Sequence, residues 1–168
     1  MYNSKVLEIF KNPKNVGSLK GANGIGKVGN AACGDIMKIY LKISDDGIIE
    51  DAKFKTFGCA AAISSTSVAT ELIKGKTIEE ALKVKNSEII QILGGLPAQK
   101  IHCSVLAEEA IRSAVDDYYK RKAKAEKKGK QIEVADDEDE DWKTVIWLFF
   151  CFDKVISNGC KASWISFW

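Results

Sequence analysis

The sequence predicts an α+β protein, and three observations carry that prediction. Asp35 to Ile43 and Ile48 to Phe57 are strand-like runs joined by a short turn, so they pair as an antiparallel hairpin. From Ala60 onward the apolar residues follow helical spacing, broken by capping and stop signals. The longest helix comes last, starting near Ile101 with an apolar stripe along one side.

Taken in order, Val6, Leu7 and Phe10, with Tyr2 one turn earlier, predict a short amphipathic helix. It must stop near Asn12-Pro13, because the residue before a proline avoids the helical region. Asn15 to Gly34 is rich in glycine and asparagine and reads as turns, with one edge strand around Ile25 to Val28. In the first strand of the hairpin Met37, Ile39, Leu41 and Ile43 face one way and Lys38, Tyr40 and Lys42 the other, the pattern of a strand with one buried face. Ser44-Asp45-Asp46-Gly47 makes the turn, where Gly47 can take positive φ. On the returning strand Ala52, Phe54 and Thr56 share a side, opposite Lys53 and Lys55.

Gly58-Cys59 closes that strand and Ala60 to Lys74 reads as a helix. Ser64-Ser65-Thr66-Ser67 are weak helix formers, and such small hydroxyl residues point to close packing against a neighbour. Gly75 suits the position after a helix C-terminus, and Thr77-Ile78-Glu79-Glu80 fits a capping box that starts another short helix. Asn86 or Ser87 is expected to cap a third, running to Gly94. Ala107, Ala110, Ile111, Ala114, Val115 and Tyr118 form the stripe of the last helix.

With 168 residues the chain has room for one ordinary core. A net charge of +2 is too small to imply nucleic acid or an anionic membrane as partner. The start lacks the charged and apolar segments of a secretory signal, and no apolar run is long enough to span a bilayer. The expectation is a cytoplasmic protein whose thiols stay reduced. Five cysteines in that setting favour metal or sulfur chemistry over disulfides.

Three of those cysteines stand in punctuated contexts. Cys33 lies in Ala31-Ala32-Cys33-Gly34-Asp35, Cys59 at a strand-to-helix turn, and Cys103 at the start of the last helix after Gly94-Gly95-Leu96-Pro97. A thiol at a helix start faces unpaired N–H groups and the positive end of the dipole, so Cys103 is expected to lose its proton readily. Any one of them alone reads as a small buried hydrophobe. Together they differ from random core cysteines: each has a glycine beside it or a helix start under it, and Asp35 and His102 offer further ligands within two residues. His102 is the one histidine, so a metal site must be led by thiolates, which selects zinc, copper(I) or iron–sulfur chemistry. Three thiolates with one oxygen or nitrogen ligand make a four-coordinate set that zinc accepts. In an iron–sulfur cluster the non-thiolate ligand leaves an exchangeable corner, useful in a protein that must give its cluster away.

Ala32-Cys33-Gly34-Asp35, Phe54-Lys55-Thr56-Phe57-Gly58-Cys59-Ala60 and Lys100-Ile101-His102-Cys103-Ser104-Val105-Leu106-Ala107 resemble the three signature blocks of the NifU/IscU iron–sulfur cluster assembly scaffolds. Asn12-Pro13-Lys14-Asn15-Val16-Gly17 is similar to that family's entry segment, and the resemblance covers roughly Met1 to Lys122. It implies a small antiparallel sheet of about three strands covered on one face by helices. It implies that Cys33, Cys59 and Cys103 accept sulfur and, with Asp35 and His102, hold metal, that Asp35 keeps the cluster labile, and that Lys100 steadies thiolates or persulfides. The implied cargo is iron and a transient [2Fe-2S] cluster, with zinc an expected occupant of the isolated protein. The implied partners are a cysteine desulfurase, other donors of iron and electrons, and acceptor apo-proteins such as ferredoxins. A scaffold of this kind is not an enzyme turning over a small molecule.

Leu96-Pro97-Ala98-Gln99-Lys100 stands where the IscU branch carries a Leu-Pro-Pro-Val-Lys chaperone motif, which looks more like the NifU branch and argues against an Hsp70-type chaperone as partner. A homodimer is left open. The main rival is a zinc-bound persulfide carrier like the SufU branch, whose members lack the histidine and carry an insertion before the last cysteine; this chain has His102 and no such insertion. A cysteine-nucleophile hydrolase would need a histidine distant in sequence from Cys103. A structural zinc module would not need Asp35 beside a ligand.

The expected organisation is a scaffold domain over 1–128, a charged linker over 129–141 and an anomalous apolar tail over 142–168. Lys120 to Lys130 is strongly basic and Asp136 to Asp141 wholly acidic, read as a solvated helix end and a linker. Val145 to Phe152 is a continuous apolar run of neither helical nor alternating period. The tail is a second-domain stub, a membrane-surface segment or the product of a shifted reading frame. Cys151 and Cys160 match no motif.

Overall fold

The computed structural model describes residues 2–30, 34–128 and 132. The elements run α1 (Ser4–Lys11), β1 (Gly24–Asn30), β2 (Asp35–Ile43), β3 (Ile49–Phe57), α2 (Ala60–Ile73), α3 (Ile78–Lys83), α4 (Asn86–Ile92), a 3₁₀ turn (Ala98–Lys100) and α5 (Ile101–Lys128). The expectations for 129–141 and 142–168, including Cys151 and Cys160, fall outside the described residues apart from Ile132, which packs half-buried against the core. No helix among the described residues is long and apolar enough to cross a membrane.

The sheet is antiparallel in the order β1-β2-β3. Met37, Ile39, Leu41 and Ile43 on β2 and Ala52 and Phe54 on β3 are buried in one core with residues of α2 and α5, so helices cover that face. Gly24 and Gly26 let α5 lie directly on β1. A Cβ on Gly24 would sit 2.7 Å from the Ala114 carbonyl oxygen, and one on Gly26 would sit 2.5 Å from the Ala114 nitrogen. The stripe Ala107, Ala110, Ile111, Ala114, Val115 and Tyr118 is buried as its spacing predicts.

Helix α2 keeps its hydroxyl run because the run is buried and three of its four hydroxyls are hydrogen-bonded, the Ser65 hydroxyl being buried with no partner among the described residues. Ser64 donates to the Val6 carbonyl at 2.9 Å, Thr66 to Ala62 at 2.6 Å and Ser67 to Lys14 at 3.3 Å. Small side chains bring α1 and the segment after it close to α2. The capping box forms at Thr77 and Glu80. Gly75 takes φ +75.

Four details depart from the expectations. Leu7 is 41% exposed while Val6 is fully buried, because α1 rests on α2 through a narrow stripe. The third short helix is capped by Lys85, not by Asn86 or Ser87; Glu108 on α5 accepts the Asn86 N–H at 3.0 Å and does the capping from another element. The edge strand is longer than Ile25 to Val28, since Asn23 brackets Ile43 with two hydrogen bonds and extends the pairing. The second face of the hairpin is not wholly open: Leu19 and Ala22 cover Tyr40, which is fully buried, and Lys55 is buried beside it.

Candidate metal centre

One end of the sheet and two helix starts meet at a small polar group. Asp35 is the first residue of β2 and is buried. Cys59 is the N-cap of α2, with extended backbone. His102 and Cys103 lie in the first turn of α5; Cys103 is fully buried and His102 half-buried. The chain must leave β3 and enter α2 within two residues, and Gly58 makes room for this. A Cβ there would lie 2.7 Å from Asp35 Oδ1. Asp35 also serves the start of α2, its Oδ1 accepting the Cys59 N–H at 3.3 Å. A carboxylate at a helix start is favourable on charge grounds as well.

The Cys59 and Cys103 sulfurs are 3.6 Å apart, and Cys103 Sγ lies 3.6 Å from Asp35 Oδ2. One ligand atom from each of Asp35, His102 and Cys103 falls within 4.8 Å of the others. The electrostatics divide the two thiols. The Cys59 pKa is lowered to about 5: the hydrogen bond from Cys103 is the main cause, the Ala62 N–H and the Tyr2 hydroxyl add to it, and burial opposes it. The Cys103 thiol is pushed well above its ordinary value by that same hydrogen bond to Cys59, by burial, and by the negative charges of Cys59 and Asp35. The pair therefore sheds one proton easily and holds the second.

This corrects the expectation that Cys103 ionises readily at its helix start. The α5 dipole is outweighed because Cys103 is enclosed between a carboxylate and a thiolate. The low-pKa thiol is Cys59, which is half-buried and the more accessible of the two.

Cys33 lies outside the described residues; Gly34, next to it, has φ +68. Lys100 ends the 3₁₀ turn two residues before His102 and makes no hydrogen bond or ion pair to Asp35, Cys59, His102 or Cys103 among the described residues. Tyr2 was legible only as an apolar helix residue. Its hydroxyl hydrogen-bonds Cys59, and burial together with that bond pushes its pKa up to about 12. The signal in the sequence was the residue type, since a buried tyrosine needs a polar partner.

The oxygen, nitrogen and two sulfurs form a donor set suited to zinc or to iron held with sulfide. Residues 1–125 match the profile of the NifU-like N-terminal domain. The chain is 55% identical over 127 residues to an iron–sulfur cluster assembly scaffold protein IscU of Archaeoglobus fulgidus, covering 76% of this chain and 82% of that one. It is 52% identical over 127 residues to the IscU scaffold protein of Escherichia coli, covering 73% and 98%. The crystal structure of a NifU-like N-terminal protein from Brucella abortus superposes with a TM-score of 0.61 at 20% identity, covering 71% of this chain and 94% of that one, which supports the fold. A structure described as a cluster assembly scaffold protein for the SUF system of Fervidobacterium islandicum matches at TM-score 0.59 and 26% identity, covering 68% and 96%.

Proposed function

The chain belongs to the NifU-like N-terminal domain family, and on that premise we propose that it is a scaffold on which iron–sulfur clusters are built and from which they pass to apo-proteins. The convergence of Asp35, Cys59, His102 and Cys103 at one end of the sheet, with one thiolate already formed, carries this reading. Cys33, two positions before Asp35 in the sequence, is the further ligand this reading requires.

Sulfur arrives as the persulfide of a cysteine desulfurase. The Cys59 thiolate attacks the outer sulfur, a new S–S bond forms at Cys59, and the desulfurase leaves as a thiolate. An electron-donor protein then supplies two electrons, cleaving the Cys59 persulfide to thiolate and sulfide. Iron and sulfide are cargo, assembled as a [2Fe-2S] cluster on Cys33, Cys59 and Cys103 with an oxygen or nitrogen ligand from Asp35 or His102. Asp35 holds the labile corner, because a carboxylate exchanges more readily than a thiolate. Lys100 approaches the sulfurs once cargo is present. The protein acts by holding and handing over rather than by turnover, in a cytoplasm where its thiols stay reduced. The domain that does this spans 1–128, followed by a charged linker over 129–141 and a tail over 142–168. An Hsp70-type chaperone is disfavoured by Pro97-Ala98.

A second reading, a zinc-bound persulfide carrier, draws on the same four ligands, which suffice for a closed zinc site. Anaerobic reconstitution with iron, cysteine and a desulfurase separates the two. Absorption and circular dichroism of a [2Fe-2S] cluster that then moves to an apo-ferredoxin supports the scaffold. A colourless protein that keeps zinc yet accepts persulfide supports the carrier.

A further inference from the structure

The Asn3 side chain makes three hydrogen bonds that join segments about ninety residues apart. Its Oδ1 accepts the Val6 N–H at 2.9 Å and so caps α1. Its Nδ2 donates to the Leu93 carbonyl and to the Gly95 carbonyl, each at 2.9 Å. Those two carbonyls stand at the end of α4, where the chain turns away through Gly94 at φ +73 and Gly95 at φ +101. Carbonyls at a helix end need partners from outside the helix. The cap on α1 needs only an oxygen, which serine, threonine or aspartate would supply equally well. The two amide hydrogens are what asparagine adds, and both are used.

The two sides of this contact lead to the two sides of the metal group. Tyr2 directly precedes Asn3, and its hydroxyl hydrogen-bonds both Cys59 and the Ala61 N–H at the start of α2. Ser64 ties α1 to α2 again through the Val6 carbonyl, at 2.9 Å. From Gly95 the chain runs through Leu96, half-buried against the core, and the 3₁₀ turn to His102 and Cys103. Among the described residues the other hydrogen bonds of Gly94 to Lys100 stay local: Gly94 donates to Gln91, Gly95 to Ile90 and Lys100 to Pro97. Asn3 is therefore the hydrogen-bonded link between the approach to α5 and the segment seated on Cys59.

We propose that Asn3 is a positioning residue for the metal group: by tying the loop after α4 to the segment that carries Tyr2, it sets the start of α5, and with it His102 and Cys103, against Cys59. Asn3 is not itself a ligand and acts through the backbone it holds. The inference rests on Asp35, Cys59, His102 and Cys103 acting as one metal group and requires no cluster chemistry. Residues that orient ligands from outside the ligand set change metal affinity by about 10-fold to 100-fold when lost.

The test is Asn3→Ser in the metal-free full chain, with zinc affinity read against a competing chelator well below the melting transition and amide exchange followed by NMR. Serine keeps an oxygen for the Val6 N–H and has no amide to reach the two carbonyls. Zinc binding should weaken about tenfold, and the Gly94 and Gly95 amides should exchange faster while the Val6 amide does not. Asn3→Thr is the second variant, should one fail to fold, and should repeat the result. Thr77→Ala is the control: it breaks the α3 capping box at the turn end of the hairpin, where Ile78 donates to the Gly47 carbonyl at 3.0 Å, away from the metal group. It should lower the melting temperature and leave zinc affinity unchanged. Unaltered zinc affinity in the Asn3 variants overturns the proposal, whether or not the loop amides exchange faster. An equal loss of affinity in Thr77→Ala also overturns it, since general stability would then be the cause. If the unaltered chain binds no zinc, the metal-group reading fails and takes this inference with it; tight zinc binding that ignores Asn3 defeats the inference alone.

Discussion

Replacing Gly58 by alanine tests the metal group through one methyl. Gly58 does not adopt positive φ, so alanine is acceptable to the backbone and the effect is steric. The new Cβ would lie 2.7 Å from Asp35 Oδ1, 3.0 Å from its Cγ and 3.2 Å from the Ala62 Cβ. That is roughly 0.7 Å short of a comfortable contact. No backbone atom is among the three nearest, so the carboxylate gives way. Asp35 Oδ1 already accepts the Cys59 N–H at a long 3.3 Å, and a retreat of that size takes the pair beyond hydrogen-bonding distance. Losing a bond to a buried charged acceptor costs about 1.5–3 kcal/mol. For a chain of this size the melting temperature should fall by about 3–10 °C. Zinc affinity, measured against a competing chelator on the full chain, should fall about 10-fold to 100-fold if that loss is carried by the ligand. The decisive comparison is the Asp35→Ala background, where the carboxylate is gone and Gly58→Ala should cost little further affinity. An unchanged melting temperature, or an affinity loss that persists without Asp35, would refute this account of how Gly58 positions the ligand.

Asp35→Ala itself should slow cluster transfer to an apo-ferredoxin several-fold while permitting assembly; transfer kinetics equal to the unaltered chain would remove Asp35 from the labile corner. Gly26→Ala should drive α5 off β1, because its Cβ would meet the Ala114 nitrogen at 2.5 Å; a loss of about 3 kcal/mol is expected in chemical denaturation. Gly29→Ala, whose Cβ would have its nearest neighbour at 3.5 Å, should leave stability nearly unchanged in the same titration. In the metal-free protein, alkylation of Cys59 followed by peptide mass spectrometry should stay fast as pH falls from 9 and drop by half only near pH 5, where the thiolate takes up its proton. Cys103→Ala removes the main donor to that thiolate and should move the midpoint up toward the ordinary thiol range. A midpoint near 9 in the unaltered chain would show that the Cys103 hydrogen bond does not lower Cys59.

Much of this protein was legible along the chain because the signals are local. The alternation of Met37, Ile39, Leu41 and Ile43 selects a buried face at a period of two, and Thr77 with Glu80 caps a helix through neighbours three residues apart. The stripe from Ala107 to Tyr118 and the punctuation around Cys59 and Cys103 are of the same kind. Tertiary structure decided what depends on residues distant in sequence. Glu108 capping α4, Leu19 and Ala22 burying Tyr40, and Asn3 linking α1 to the loop after α4 are products of topology that no window of sequence contains. The protonation of the metal group belongs there too. Cys103 at a helix start reads as the acidic thiol, yet Asp35 and Cys59, 68 and 44 residues away in sequence, surround it and keep its proton on, passing the thiolate to Cys59. Helical and strand periodicity are set by bonds between near neighbours, whereas charge interactions in a buried site depend on distances that only the folded chain defines.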